Sequence, residues 1–595
     1  MKNRIVKMGT VAAICSVGSG CVLADDWSVS GFVRQEVAVK TGSDYNTSNQ
    51  QGIPYNGVTV ANTGLYKALV PTFTRPSTLT QNNTYNEFST RLEANLDGKI
   101  SDTWSAHFKM RAIADETGRV DNAFSGRNTF EQQFYSGKQG TPLEAAGKNW
   151  MLDLPVAYVD YNSGPLWLRF GNQQIAWGEA LFFRVSDVPN GLDLRRHSLL
   201  GVAAEEYSDT RVPGLGARGS YRLNENWDIE GFTQKFQPSL LPGQNSPYNP
   251  IPAQFTVHEQ EGYDAVKNNW NFGGRLRGKI GDFGVQAFAV TRNNPDGVYK
   301  WTLATGPGTL PGSAFQGGTG TGVYSAAEWF NSASSVRLDG LGGLMTALNE
   351  FRGTTALGAN TVAAGCGAPS SAVGNIQVNQ AAASCLLDTF FTTGDLRGHI
   401  RRDYPRESIM GFGVNHVFEG APDTLLDQLI GRFEMSYTPN KKFTNPTLSQ
   451  DYIQKNETQF AFIFEKYHKF SNDVPATYVV AQWLHKSASD LFGRALEGLD
   501  NTPGAAPTGQ RGFDAIALAV QQPSPTLAWR FDFTALTDLK GGWLLQPGTK
   551  WKPNKDFQLD IYANVLKSYG QQNYQNFAQG LTYANEIFVR GTYSF

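Results

Sequence analysis

The stretch WSAHFKMRA, Trp104 to Ala112, alternates without a break. Trp104, Ala106, Phe108, Met110 and Ala112 share one face, and Ser105, His107, Lys109 and Arg111 share the other. A period of two belongs to an extended strand with one dry and one wet side. The pattern recurs along the chain. Phe88, Leu92, Ala94 and Leu96 alternate with Glu87, Ser89, Arg91, Glu93 and Asn95; Trp529, Phe531 and Phe533 with Arg530, Asp532 and Thr534; Phe557, Leu559, Ile561, Ala563 and Val565 with Gln558, Asp560, Tyr562 and Asn564. Each such strand runs about ten residues, the length that crosses an outer membrane with its apolar face to lipid and its polar face to a lumen. Strands of a soluble sandwich alternate too, but usually run about five or six residues.

The connections separate these readings. Candidate strands begin near residues 28, 86, 104, 152, 165, 214, 226, 269, 283, 407, 430, 457, 475, 512, 525, 541, 555 and 584. That makes about eighteen, with sixteen the nearest alternative. Connections after even-numbered strands are mostly short, such as Ser101-Asp102-Thr103, Asn162-Ser163-Gly164 and Gly281-Asp282; those after odd-numbered strands are mostly long, such as 41–85, 115–151, 175–213 and 294–406. Alternating short turns and long loops is what periplasmic and extracellular connections produce, and a closed barrel satisfies every backbone polar group in lipid. An even strand count puts both termini in the periplasm. The chain ends with Val589, Tyr593 and Phe595 on one face, which resembles the C-terminal strand that the barrel-assembly machinery of Gram-negative bacteria reads. The expected fold is therefore all-β, a transmembrane antiparallel barrel with long extracellular loops and a loop plug.

Composition agrees. Fifty-one basic against 53 acidic residues give nothing that points to nucleic acid, and 12 % aromatics with 63 glycines suit many strands and turns. No stretch after the N-terminus reaches the roughly 18 apolar residues of a membrane helix. Met1 to Ala24 has a basic start (Lys2, Arg4, Lys7), an apolar middle and Val22-Leu23-Ala24 before Asp25, a secretory signal by pattern. The division is a signal peptide over 1–24 and a barrel over 25–595. Cleavage before Cys21 as a lipoprotein is disfavoured by Gly18-Ser19-Gly20, which lacks a leucine-like residue three places earlier. Cys366 and Cys385 remain, close in sequence and in an exported context, and are expected to be bonded. They lie in the segment 294–406, too long for a plain loop. Leu341, Leu344, Met345, Leu348 and Phe351 at helical spacing, with Leu386, Leu387, Phe390 and Phe391, predict a small helical insert on the outer face. A helix is also expected over Glu419 to Gln428, where Leu425, Leu426 and Leu429 interrupt the short-turn rule, either docking on a periplasmic partner or packing into the barrel floor.

Chemical motifs are weak. Gly214-Leu215-Gly216-Ala217-Arg218-Gly219 matches a dinucleotide fingerprint as a string but leads into a strand rather than a helix, so no cofactor is expected. His258-Glu259-Gln260-Glu261 lacks the second histidine of a zinc protease motif, and His107, His197, His399, His416, His468 and His485 show no ligand spacing, so no metal is expected. No G-x-S-x-G elbow follows the signal. An outer-membrane hydrolase whose strand-borne serine and histidine meet only in space stays open as the enzyme alternative to a non-enzymatic barrel.

Inward faces carry Arg91, Glu93, Lys109, Arg111, Arg275, Arg277, Arg432, Glu434, Arg530 and Asp532. They either pair across the lumen or set the preference of a pore. Both signs are present, so strong ion selectivity is not expected. After Leu166, Leu168 and Phe170 of the fifth strand, alternation stops at Trp177, Gly178, Glu179, Leu181, Phe182, Phe183 and Arg184. Adjacent phenylalanines cannot both hide on one strand face, so this loop is expected to fold into the barrel mouth, as a plug or as the rim of a site for an apolar ligand. Glu179 then needs an arginine or backbone amides, and Arg184 is the near candidate.

The glycine and polar pair before Trp177-Gly178-Glu179, followed by Val188, Asn190, Leu192 and Asp193, resemble the signature of the proteobacterial outer-membrane family catalogued as domain of unknown function 1302. Trp543-Leu544-Leu545-Gln546-Pro547, Asp403-Tyr404-Pro405 and Ser30-Gly31-Phe32 resemble its other landmarks. Asn172 stands where arginine is usual, Pro189-Asn190-Gly191 replaces an asparagine-proline order, and Arg406 stands where an acidic residue is common. The resemblance implies an outer-membrane conduit for hydrophobic or lipid-like molecules, working with a periplasmic protein of domain of unknown function 1329 and an inner-membrane transporter of the resistance-nodulation-division superfamily. A diffusion porin is the alternative.

Overall fold

The computed structural model describes residues 26–46, 48, 57–74, 83–125, 140–195, 210–243, 246–251, 255–306, 309–310, 312–318, 323, 325–326, 328–329, 333, 339–351, 360–368, 376, 378–392, 395–422, 424–489, 512–569, 576–578 and 580–595. The segment read as a signal peptide lies outside them.

Eighteen antiparallel strands close into a barrel. In chain order they are β1 Trp27–Lys40, β2 Tyr85–Lys99, β3 Trp104–Asp115, β4 Trp150–Ser163, β5 Leu166–Gln173, β6 Gly214–Asn224, β7 Trp227–Lys235, β8 Trp270–Ile280, β9 Phe283–Asn293, β10 Arg406–Val417, β11 Ile430–Phe443, β12 Ile453–His468, β13 Thr477–Lys486, β14 Phe513–Pro523, β15 Trp529–Thr537, β16 Gly542–Trp551, β17 Phe557–Ser568 and β18 Glu586–Ser594. Each pairs with the next in sequence, and β18 returns to β1, with Val37 opposite Val589 and Phe32 opposite Ser594. Closure removes every sheet edge. Among the described residues no helix is long and apolar enough to cross a membrane.

The alternation does what it promises. On β15, Trp529, Phe531 and Phe533 point out and are exposed, while Arg530 and Asp532 point in. On the outer surface Phe412, Phe433, Phe462 and Trp483 form a ladder across β10 to β13, with ring centroids 5.5, 4.9 and 5.9 Å apart. Offset aromatic contacts of this kind stabilise neighbouring strands, and an exposed apolar belt of this size is a lipid-facing surface.

Short turns gather at the end where β1 begins and β18 finishes. The connection from β10 to β11 is the long one there, and it is not helical over its described residues. The hairpin ladder continues past the strands, with Phe418 N donating to Leu429 O at 2.8 Å and Gln428 N to Phe418 O at 2.9 Å. Pro422 falls among the residues that remain, and Gln428 takes a positive φ of 56°, so the chain turns back instead of continuing as a helix. Lys466 Nζ donates to the Thr424 and Asp427 carbonyls, and Leu425 and Leu426 remain exposed.

The long connections fold over the other end. The insert between β9 and β10 contains the expected helices, Gly340–Glu350 and Gln380–Phe391, N-capped by the side chains of Asp339 and Asn379 at 2.8 Å each. Cys366 and Cys385 are disulfide-bonded, with Cα atoms 5.3 Å apart. The insert is not only helical. Strands Val298–Trp301, Phe315–Gly318 and Asp395–Asp403 form a small sheet, and the fourth strand, Phe255–His258, comes from the connection between β7 and β8 and runs parallel to Asp395–Asp403. Trp301, Trp329, Leu344, Leu386 and Phe315 share one buried cluster.

Candidate functional site

Where β5 ends at Gln173, the chain turns into the lumen and crosses it. Ile175, Trp177 and Val188 bury against Phe232 of β7, Phe288 and Val290 of β9 and Ile409 of β10. Trp177 meets the Phe232 ring edge-on at 5.1 Å, and its indole N–H donates to Glu230 Oε1 at 2.6 Å. Tryptophan suits this position because it fills an apolar hole and still finds an acceptor.

Phe182 and Phe183, each 5 % exposed, lie on the opposite wall. They share one buried apolar cluster with Ala461 and Ile463 of β12, Val480 and Leu484 of β13, and Phe513, Ala515, Ala517 and Ala519 of β14. The alanines make room: on β14 the inward side chains after Phe513 are Ala515, Ala517 and Ala519, and the outward ones, Ile516 and Leu518, are exposed. Leu181 is partly buried beside them. The expectation that this loop folds inward is met.

Polar side chains of the wall, and Asn190 of the loop itself, hold its backbone. Glu434 of β11 accepts from the amides of Glu179, Ala180 at 3.1 Å and Ser186 at 3.0 Å. Gln482 of β13 accepts from Phe182 N at 2.9 Å and donates to Phe183 O at 3.3 Å. Asn190 accepts from Ile175 N at 2.7 Å and donates to Val212 O at 2.7 Å. Glu179 does find an arginine, but it is Arg432 at 3.2 Å, with Asn415 Nδ2 at 3.1 Å, and not Arg184. Arg184 instead donates to Asp187 O at 3.0 Å and Asn190 O at 2.6 Å, because the loop doubles back within a few residues and presents those carbonyls first. Farther on, Arg195 binds Glu144 at 2.7 Å and Asp193 at 3.0 Å. Burial opposes its charge, yet Asp193 and Glu144 outweigh burial and raise its pKa above the ordinary arginine value.

Most of the lumen charges named from sequence pair along the wall rather than across it, while Arg432 and Glu434 also hold the plug. Arg91 and Lys109 meet Glu93, the latter at 3.5 Å; Arg111 Nε meets Asp153 at 2.9 Å; Arg275 meets Glu230 at 2.6 Å; Arg277 meets Asp228 at 3.5 Å; and Arg530 meets Asp532 at 2.8 Å. Arg432 bridges Glu465 and Glu179. Neighbouring strands place complementary charges within reach of one another, so the pairing is local. A cavity of about 260 Å³ lies beside the plug on the short-turn side, lined by Glu179, Asp228, Arg275, Arg277, Arg432 and Glu434 among others.

Sequence reading missed Glu230, Gln482 and Asn190 as plug contacts. Gln482 and Glu230 are polar residues in inward register, which is a signal that they face the lumen but not of what they hold.

A closed barrel with a lipid-facing belt, a charged wall and its own loop across the lumen is a transmembrane β-barrel of the outer-membrane type. The chain belongs to the family described as protein of unknown function (DUF1302), which matches residues 8–595. Among solved structures it is similar to Acinetobacter baumannii OccAB3, at 9 % identity over 96 % of this chain and 100 % of that one, with a TM-score of 0.42. It is also similar to Pseudomonas aeruginosa OccK9 (OpdG), at 8 % identity over 96 % and 98 % with a TM-score of 0.41, and to Salmonella typhi OmpF in complex with daunomycin, at 8 % over 97 % and 100 % with a TM-score of 0.34. No curated protein sequence matches it.

Proposed function

We propose that this barrel sits in the outer membrane of a Gram-negative bacterium, exported by residues 1–24, with its short turns in the periplasm, and that it is a gated conduit for hydrophobic or lipid-like molecules. The observation that carries the reading is the seat of Phe182 and Phe183. An inner wall built of Ala515, Ala517, Ala519, Ile463 and Val480 is apolar on both faces of β14, which a purely aqueous pore does not need. When the plug lifts, that wall offers an apolar strip to a passing molecule. Trp177, Glu179, Leu181 and Arg184 move with the same gate. Delivery from a periplasmic protein of domain of unknown function 1329 and a resistance-nodulation-division transporter fits a conduit of this kind, and the exposed Leu425 and Leu426 on the periplasmic side are the residues from which to crosslink such a partner.

A diffusion porin is the second reading, favoured by the polar cavity around Arg275, Arg277 and Arg432. Planar-bilayer recording separates the two. A gated conduit gives little steady conductance as wild type, and the double change Phe182→Ser, Phe183→Ser raises conductance and the uptake of bulky apolar dyes in cells. Large steady wild-type conductance favours the porin. Unchanged behaviour of the double variant makes the two rings packing alone.

A further inference from the structure

In the cap, far along the chain from the motif His258-Glu259-Gln260-Glu261, the fold supplies the second histidine that the motif lacks. His258 ends the strand Phe255–His258, Glu261 lies one turn into the helix Glu259–Asp264 that follows, and His399 sits on Asp395–Asp403, the parallel neighbour of that strand. One donor atom from each lies within 4.8 Å of the other two. We propose that His258, Glu261 and His399 bind a divalent transition metal ion of the zinc class, which ties the connection between β7 and β8 to the insert between β9 and β10.

The geometry is close to what such an ion requires. Glu261 Oε1 is 3.2 Å from His258 Nδ1 and 3.8 Å from His399 Nε2. With ligand bonds of roughly 2.0 to 2.2 Å, donors around a tetrahedral zinc stand roughly 3.3 to 3.5 Å apart, so the two Glu261 separations already bracket what the ion requires. Two imidazoles and a carboxylate, with one position left to water, form a donor set that zinc accepts and that magnesium and calcium, which want oxygen, do not.

The orientation of His399 is fixed from behind. Its Nδ1 lies 2.6 Å from Thr302 Oγ1. In the tautomer that carries its proton on Nδ1, the threonine oxygen accepts that hydrogen and Nε2 is left bare toward Glu261, the arrangement that outer hydrogen bonds commonly give metal-binding histidines. His399 is buried and its ring lies 3.8 Å from that of His258. His258 turns Nδ1 toward Glu261, and its Nε2 is buried with no hydrogen-bond partner. Arg401 stands next to the cluster, but its guanidinium is engaged by Asp403 at 2.6 Å. The Cys366–Cys385 bond closes a loop within the insert, and the metal would be the only such link between the two connections among the described residues.

The test is calorimetric titration of zinc chloride into the full-length protein, purified in detergent and stripped with chelator. The proposal expects one stoichiometric site in the wild type, weakened at least tenfold by His258→Asn and by Glu261→Gln. Glu261 is half-exposed, so its conservative change leaves the cap folded and keeps the result readable if the buried His399→Ala variant fails to assemble. Absence of stoichiometric zinc binding in the wild type overturns the proposal. So does binding by both the His258 and Glu261 variants within twofold of wild type, or a site filled by calcium in preference to zinc.

Discussion

Glu434 shows how much one carboxylate can hold. Its two oxygens accept from three backbone amides of the plug, those of Glu179, Ala180 and Ser186, in a site shut off from solvent. A buried amide left without an acceptor costs about 1 to 3 kcal/mol, so Glu434→Ala removes several kcal/mol of plug anchoring at once. The expected outcome is spontaneous, noisy opening in single-channel recordings of a barrel that still assembles. A quiet channel indistinguishable from wild type would show that the apolar seat alone keeps the plug in place. Gly178 explains the small residue between Trp177 and Glu179: a Cβ there would lie 2.8 Å from Asp187 N and 3.0 Å from Asp187 Cβ, so the fold-back of the loop excludes a side chain. The burial of Trp177, Phe182 and Phe183 was legible in the sequence, because adjacent large apolar residues have to leave water. The partner of Glu179 was not. Arg184 and Arg432 are equally good partners by charge, and only the tertiary path of the loop chooses between them.

At the scale of elements, all eighteen barrel strands were readable, with starts that fall within four residues of those observed. Lipid on one face and a polar lumen on the other impose a period of two more strictly than a soluble core does, which is why pattern succeeded. It failed in the cap. Asp395–Asp403 carries Asp395, Arg397, Arg401, Arg402 and Asp403 and shows no apolar stripe, so it reads as loop. Its parallel partner, Phe255–His258, is four residues long and lies in a different connection, and local periodicity cannot report a pairing between distant segments. The helices Gly340–Glu350 and Gln380–Phe391 were legible because they bury one face against the cap core. The disulfide supports that core by closing a loop with a sequence separation of 19, a constraint of about 3 kcal/mol. The double change Cys366→Ser, Cys385→Ser is expected to expose the insert to limited proteolysis between residues 340 and 391. The heat-modifiable gel shift of the barrel should persist, since no strand of the closed ring depends on that bond. Loss of the gel shift together with the insert would mean that cap and barrel fold as one unit.

The whole molecule depends on one seam, where the first strand meets the last. Gly31 and Phe595 exchange both backbone hydrogen bonds at 3.0 Å, and the Phe595 ring lies over the glycine. An added Cβ would stand 2.7 Å from that ring and 2.2 Å from the Glu93 carbonyl on the other side, so nothing larger than glycine fits without moving β2 or the C-terminus. An unclosed barrel leaves two rows of unpaired N–H and C=O groups in lipid, and each unsatisfied group there costs several kcal/mol. A local disturbance at the seam is therefore a disturbance of the entire ring. Gly31→Val is expected to lower the fraction of folded, heat-modifiable protein recovered in membranes, and Gly31→Ala to lower it less. Both variants keep Phe595, and replacing Phe595 with leucine relieves the crowding at the seam from the other side. Combining Gly31→Ala with Phe595→Leu should then restore folding in detergent relative to Gly31→Ala alone. If Gly31→Val folds at the wild-type yield with an unaltered gel shift, the contact is incidental and the ring closes through the remaining pairs of β1 with β18, from Val33 opposite Tyr593 to Lys40 opposite Glu586.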